Sequence, residues 1–184
     1  MAYAFNQQRK YLNMKTKALF LDRDGIINVD HGYVYKVEDF EFAEGIFDLV
    51  KLFVDAGYLI FVVTNQSGIG RGYYSEEDFT TLSDWMVEEF KKQELKIEKV
   101  YYCPHAPEDK CHCRKPQTGM IEQALRDYPI DLVNSYMIGD KQSDIDLALN
   151  AGLGQSIYIG DNAIENCTYK FTSIEACRVG LPTI

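Results

Sequence analysis

Residues 18 to 25, Ala-Leu-Phe-Leu-Asp-Arg-Asp-Gly, form an apolar run that stops abruptly at two carboxylates, Asp22 and Asp24, with Gly25 directly behind them. A short uncharged run of this kind reads as a strand buried on both faces. Side chains at i and i+2 leave a strand on the same face, so both acids reach one small volume at the strand's carboxyl end. Open α/β sheets bind their ligands there. Two acids that close repel unless a cation or a shared proton compensates, which makes a divalent metal the natural third party. Taken alone, Asp-x-Asp-Gly is equally a strand running into an acidic turn.

Further apolar runs at about 58 to 64, 97 to 102, 135 to 139 and 155 to 159 read as buried strands, and helical patterns separate them. Ile46, Leu49, Val50, Phe53 and Val54 recur at helical spacing, with Gly57 placed to stop that helix. Ser75 and Asp78 resemble a capping box that opens a long helix running through Trp85 to about Gln93. Ile121, Ala124, Leu125 and Tyr128 mark a third helix, and Ile145, Ala148 and Leu149 a fourth. The alternation predicts an α/β fold, a doubly wound and mainly parallel sheet covered by helices on both faces. A chain of 184 residues suits one domain, expected over residues 15–184, with residues 1–14 as an extension before the first strand.

Charge narrows the partners. The 19 Lys and Arg against 28 Asp and Glu leave a net charge of -9, which argues against nucleic acid, since backbone phosphates need a basic footprint. A small phosphorylated ligand stays compatible, because a few local cations and a metal outweigh the global field at one site. No apolar stretch approaches the ~20 residues of a membrane span and no signal-peptide pattern opens the chain. The expectation is a soluble, cytoplasmic protein without a membrane partner, and, with no evident association surface, a monomer.

Three more segments carry chemistry. The run at 61 to 65 ends in Thr64 and Asn65, Arg114-Lys115-Pro116 supplies a fixed cation, and the run at 136 to 140 ends in Asp140, followed by Lys141. With Asp22 and Asp24, their order and setting resemble the four motifs of the haloacid dehalogenase-like phosphotransferases. Closer still, Asn28-Val29-Asp30-His31-Gly32-Tyr33-Val34, Thr64-Asn65-Gln66-Ser67-Gly68-Ile69-Gly70-Arg71-Gly72 and Cys111-His112-Cys113-Arg114-Lys115-Pro116 resemble the D-glycero-D-manno-heptose 1,7-bisphosphate 7-phosphatases, whose nearest relatives are the histidinol-phosphate phosphatases.

This resemblance implies a Rossmann-like haloacid dehalogenase fold and a magnesium-dependent phosphatase. Asp22 would be the nucleophile that forms an aspartyl-phosphate, and Asp24 the general acid and then base. Asp22, Asp140 and the main chain of Asp24 would hold magnesium, while Thr64 and Lys115 stabilise the phosphoryl group. Asp30, His31, Gly32 and Tyr33 align with the family's substrate loop, and Asn65, Gln66 and Ser67 with a second contact segment. Arg114 aligns with its substrate-recognition arginine; Lys141 would hold Asp140 or contact substrate. Asp144 would brace the metal site, although an acid in a helix's first turn needs no function to explain it. The connections after Asp24 and after the third strand, about twenty and about fifteen residues, are too short for the separate cap domain of many superfamily members. An open site with specificity set by loops follows.

Cys103-x-His105, five residues, then Cys111-x-Cys113 is a four-ligand set suited to tetrahedral zinc, structural because no position is left for water. His112 lies between two of the ligands and could stand in for one. The zinc would stiffen the loop that aims Arg114 and Lys115. Cys167 and Cys177 read as ordinary residues. The five-residue span is shorter than expected for a heptose phosphatase and resembles the zinc loop of histidinol-phosphate phosphatases, whereas both substrate-facing segments favour the heptose reading. The alternatives are a histidinol-phosphate phosphatase, a nucleic-acid 3'-phosphatase that the acidic charge disfavours, and a zinc-stabilised binding module with a degenerate site.

Overall fold

The computed structural model describes residues 15–182 and 184; the expected extension at residues 1–14 lies outside them. Six strands form one parallel sheet: β1 (Ala18–Leu21), β2 (Leu59–Asn65), β3 (Ile97–Cys103), β4 (Tyr136–Gly139), β5 (Gln155–Ile159) and β6 (Tyr169–Phe171). Their spatial order is β3-β2-β1-β4-β5-β6. The chain therefore winds outward from β1 to β3 and crosses back to β4, leaving a switch point between β1 and β4, outside whose carboxyl ends such sheets bind ligands.

Alternation along β1 builds both layers. Leu19 and Leu21 pack on one face with Ile60, Val62 and Ile138 against helices α1 (Ile46–Asp55) and α3 (Glu76–Lys92). Ala18 and Phe20 point the other way, with Phe61, Val63 and Met137, beneath α4 (Gly119–Asp127) and α5 (Gln142–Ala151). Between β2 and α3 lies one short helix, α2 (Ser67–Gly70), and α6 (Ile174–Gly180) closes the chain against α1. Removing a buried aromatic such as Phe20, stacked on Phe61 at 5.4 Å between centroids, would cost about 3–5 kcal/mol.

Local signals set the helix ends. The Ser75 hydroxyl accepts from the Asp78 amide at 3.0 Å and Asp78 Oδ2 accepts from the Ser75 amide at 2.8 Å, which starts α3 where the sequence places it. Gly57, at φ +81, follows the end of α1. The sequence reading passes over β6 and α6. Three residues on an edge, with Lys170 in the middle, leave no measurable periodicity, and α6 has only seven. Among the described residues the connections after β1 and β3 carry only single 3-10 turns, so no separate cap forms over the sheet's carboxyl edge. No helix among the described residues is long and apolar enough to cross a membrane.

Candidate active site

The carboxyl ends of β1, β2 and β4 converge on a cleft of about 350 Å³ whose wall includes Asp22, Asp24, Thr64 and Lys115. Asp22 follows β1 directly and is 4% exposed. It is held through one oxygen: Oδ1 accepts from the Arg23 amide at 2.7 Å and lies 2.8 Å from Lys115 Nζ. Among the described residues nothing bonds Oδ2. Burial raises the pKa of Asp22, Lys115 opposes that rise and the charge of Asp144 adds to it.

Lys115 is the buried cation between the acids. Its ammonium pairs with Asp22 and with Asp144 Oδ1, at 2.7 Å, and donates to the Val63 carbonyl at 2.9 Å. Burial by itself would lower its pKa, but Asp144 and Asp22 outweigh it and keep the pKa raised, so the group stays charged. Asp144 is wholly buried in the first turn of α5, where Oδ2 accepts from the Lys141 amide at 3.1 Å. An acid at that depth has to be paired, which distinguishes it from an ordinary helix-end acid. Asn65 brackets the Lys115 backbone: Oδ1 accepts from its amide at 3.0 Å and Nδ2 donates to its carbonyl at 3.3 Å.

Asp24 is surrounded by donors. Arg23 Nη2 reaches both carboxylate oxygens at 2.9 and 3.0 Å and Nε adds a third contact at 3.2 Å. Asn28 Nδ2 donates at 3.2 Å and Gln66 Nε2 at 3.0 Å. Arg23 is itself 1% exposed and also donates to the Val34 carbonyl at 2.7 Å, tying the acid to the loop beyond it. Strand periodicity would turn Arg23 away from its neighbours. Because β1 stops at Leu21 and the chain turns over Arg23–Asn28, with the Gly25 amide donating to the Asn28 carbonyl at 2.8 Å, it folds back onto Asp24 instead.

Asp140 sits across from Asp22. Burial pushes its pKa up to about 7; Lys141 opposes the rise, and Asp22 and Asp144 reinforce it. Its Oδ1 is buried with no hydrogen-bond partner. Gly25, at φ +91, approaches so closely that a Cβ there would collide with this carboxylate. Ligand oxygens of Asp22, Asp140 and Asp144 fall within 4.8 Å of one another. An orphaned buried oxygen among three acids fits a hard divalent cation such as magnesium. Asp144 has both oxygens engaged, Oδ1 by Lys115 and Oδ2 by the Lys141 amide, whereas Asp22 is engaged through Oδ1 and Asp140 keeps a buried Oδ1 without a partner.

Asp30, Gly32, Tyr33, Ser67, Arg114 and Lys141 line the rest of the cleft. Lys141 Nζ lies 3.2 Å from Asp30 Oδ2 and 3.8 Å from Asp140 Oδ2, linking the loop to the acid. Partial burial would raise the pKa of Asp30, but the Gly32 amide, donating at 2.9 Å, and Lys141 hold it lowered. His31 alone of that loop faces elsewhere: it pairs with Glu41 at 3.4 Å and lines a neighbouring hollow. Tyr74 and Ser143 also line the cleft, and neither stands in a motif that would have singled it out.

Cys103, His105, Cys111 and Cys113 converge as their spacing predicts. Cys103 Sγ lies 3.4 Å from Cys111 Sγ and 3.2 Å from Cys113 Sγ, and His105 Nδ1 lies 3.2 Å from Cys113 Sγ. The donors match a tetrahedral zinc set. His112 turns outward to Glu122 at 3.0 Å, so it does not substitute for any of the four. The loop continues into Arg114, whose Nη1 is 3.5 Å from the His105 carbonyl.

Comparison with known proteins agrees with this geometry. A HAD-hydrolase-like family model matches residues 112–163. The chain is 53% identical over 157 residues to the D-glycero-alpha-D-manno-heptose-1,7-bisphosphate 7-phosphatase of Campylobacter jejuni, covering 85% of this chain and 90% of that one. It is 46% identical over 153 residues to the D-glycero-beta-D-manno-heptose-1,7-bisphosphate 7-phosphatase of Haemophilus ducreyi, covering 79% of this chain and 84% of the other. Among solved structures, the D,D-heptose 1,7-bisphosphate phosphatase of B. bronchiseptica, complexed with magnesium and phosphate, superposes with a TM-score of 0.80 at 26% identity, over 90% of this chain and 97% of that one. With the carboxylate pair, the buried lysine and the cysteine cluster all in place, the chain belongs to the D-glycero-D-manno-heptose 1,7-bisphosphate 7-phosphatase family of haloacid dehalogenase-like phosphatases.

Proposed function

We propose that this protein is a magnesium-dependent phosphatase that removes the 7-phosphate of D-glycero-D-manno-heptose 1,7-bisphosphate, in the synthesis of nucleotide-activated heptose for surface polysaccharide. The observation that carries the reading is Asp22 held by Lys115 through one oxygen only, beside the acceptor-rich Asp140. Asp22 Oδ2 attacks phosphorus as the bond to the sugar oxygen breaks, giving an aspartyl-phosphate, and Asp24 protonates the departing alkoxide. Asp24 then takes a proton from the water that splits the intermediate. Thr64 and Lys115 stabilise charge on the transferring oxygens. Magnesium, when bound by Asp22, Asp140 and the Asp24 main chain, supplies positive charge against which a carboxylate can approach a phosphate dianion.

Asp30, Gly32, Tyr33, Ser67, Arg114 and Lys141 form the substrate side of the proposed site, with Arg114 on the distal phosphate, while Asn65 and Gln66 support it through Lys115, Thr64 and Asp24. His31 contributes to that loop through Glu41. Zinc on the cysteine cluster is structural. Residues 15–184 act as one monomeric, cytoplasmic domain. The relatives named for the alpha and the beta anomer match at similar identity, 53% and 46%, which leaves the anomer as the quantity to measure. Initial rates on both bisphosphate anomers and on histidinol phosphate, with Asp22→Asn as the blank, test the reading. One bisphosphate anomer should lead. A preference for histidinol phosphate, the substrate to which the compact zinc loop points, would overturn the heptose assignment while leaving the phosphatase class intact.

A further inference from the structure

Tyr74 lies between α2 and α3, outside every motif that marks the site, yet its hydroxyl donates to Gln66 Oε1 at 2.6 Å in a buried contact. The other end of the same carboxamide, Gln66 Nε2, donates to Thr64 Oγ1 at 2.8 Å and to Asp24 Oδ2 at 3.0 Å. Gln66 is 2% exposed, so its donors and acceptor must be satisfied from within. The direction of every bond in the chain can be worked out. In the ionised form that the Arg23 and Asn28 donors favour, before it takes up the proton it delivers, Asp24 only accepts, so the amide nitrogen has to face it. The amide oxygen then faces Tyr74, whose hydroxyl has to donate. Thr64 receives the remaining amide proton on a lone pair, which directs its own hydrogen elsewhere, into the cleft where a phosphoryl oxygen would lie.

We infer that Tyr74 is a positioning residue: through Gln66 it fixes the hydrogen-bond polarity of Thr64 and the orientation of Asp24. The inference rests on the phosphatase reading above. The ring is held for this task from both sides. It stacks on Tyr35 at 5.1 Å between centroids and 7° between planes, and a Cβ on Gly68 would run into it. Burial pushes the Tyr74 pKa up to about 12, which keeps its donor proton in place across any ordinary assay.

Tyr74→Phe tests it, because the ring and its packing remain while the donor is lost and Gln66 is left with a buried, unsatisfied oxygen and freedom to flip. Read as kcat/KM, which covers steps through phosphoryl transfer, the variant should lose about 10-fold on the heptose bisphosphate. The loss on p-nitrophenyl phosphate should be smaller, about 3-fold, because a phenolate departs without help from Asp24. Gln66→Met should lose more, and Tyr74→Phe combined with Gln66→Met should lose no more than Gln66→Met alone. An unchanged Tyr74→Phe, equal losses on the two substrates, or losses that multiply in the double variant would each overturn the inference. The unfolding midpoint of each variant, measured alongside, shows that the folded enzyme is being assayed. Wild-type protein that cleaves p-nitrophenyl phosphate but not the bisphosphate would instead defeat the substrate assignment, a different outcome from any of these.

Discussion

Replacing Asp140 by Asn should stabilise the metal-free protein and at the same time remove its response to magnesium. Burial lifts this carboxyl from 3.8 to about 7, against the pull of Lys141 and with the push of Asp22 and Asp144. An acid whose pKa is higher folded than unfolded binds its proton more tightly in the native state, so stability falls as pH rises from about 4 to about 7 and the loss is complete above that. A rise of about three pH units at about 1.4 kcal/mol each sets a ceiling of about 4 kcal/mol on the strain of the ionised site. The side chain is 22% exposed, and solvent there reduces the expected gain to about 2 kcal/mol. Asn cannot ionise, and its amide can donate to neighbouring carboxylates. Urea denaturation in chelator at pH 5 and pH 8 provides the measurement: the advantage of Asp140→Asn at pH 5 should be less than half of that at pH 8. Magnesium at about 100 times its Kd should then add about 2.7 kcal/mol to the wild type and far less to the variant. A variant less stable than wild type at pH 8 without metal, or equal stabilisation of both proteins by magnesium, would refute the reasoning.

Lys115→Met leaves the carboxylates of Asp22 and Asp144 buried without their shared cation. It should cost about 3–5 kcal/mol in urea unfolding and nearly all phosphate release; retention of a tenth of wild-type activity would exclude Lys115 from the phosphoryl site. Arg114→Ala forfeits charge-assisted hydrogen bonds of about 1.5–3 kcal/mol each, so kcat/KM for the bisphosphate should fall by about one to two orders of magnitude and that for p-nitrophenyl phosphate by less. Equal losses would move Arg114 to the transferred phosphate. Freshly purified wild type should carry about one zinc per chain and Cys111→Ser much less, with the variant losing bisphosphate preference before it loses generic phosphatase activity; zinc-free wild type would contradict the assignment.

The parts of the site that lie at strand ends were legible in the sequence, because a buried strand leaves only one place for its first polar residues. Asp22, Thr64 and Asp140 each end an apolar run, and parallel pairing brings those ends together. The cysteine cluster was legible for a different reason: three thiols and an imidazole within eleven residues have few other uses. Hidden instead were contacts made after the backbone turns. Arg23 folds back onto Asp24 only because the strand ends at Leu21, before the alternation expected through Asp24 begins. Asn65 and Lys115 are fifty residues apart and meet across β2 through a side chain and a backbone, a pairing that no periodicity encodes. Tyr74 belongs to no pattern, and the outward turn of His112 depends on Glu122, ten residues away on α4. Weak local signals hid β6 and α6, whose order comes from the sheet edge and from α1.

Lys115 and Arg114 are adjacent in sequence but held by different means, and that difference separates the two tasks of the site. Three independent restraints act on Lys115: Asn65 on its backbone, Asp22 and Asp144 on its ammonium, and the Val63 carbonyl of β2. All of them come from β2, from the residue that follows β1 or from α5, so the ammonium has anchors outside the cysteine loop. The Arg114 side chain is held differently: among the described residues its guanidinium bonds only the His105 carbonyl, at 3.5 Å, within the loop itself. On the proposed reading, chemistry common to phosphomonoesters is built on the sheet, and recognition of one substrate among them falls to the loop that carries the four cysteine and histidine donors. Because no cap forms over the cleft among the described residues, the proposed reading makes the stiffness of that loop what limits how sharply Arg114 can discriminate.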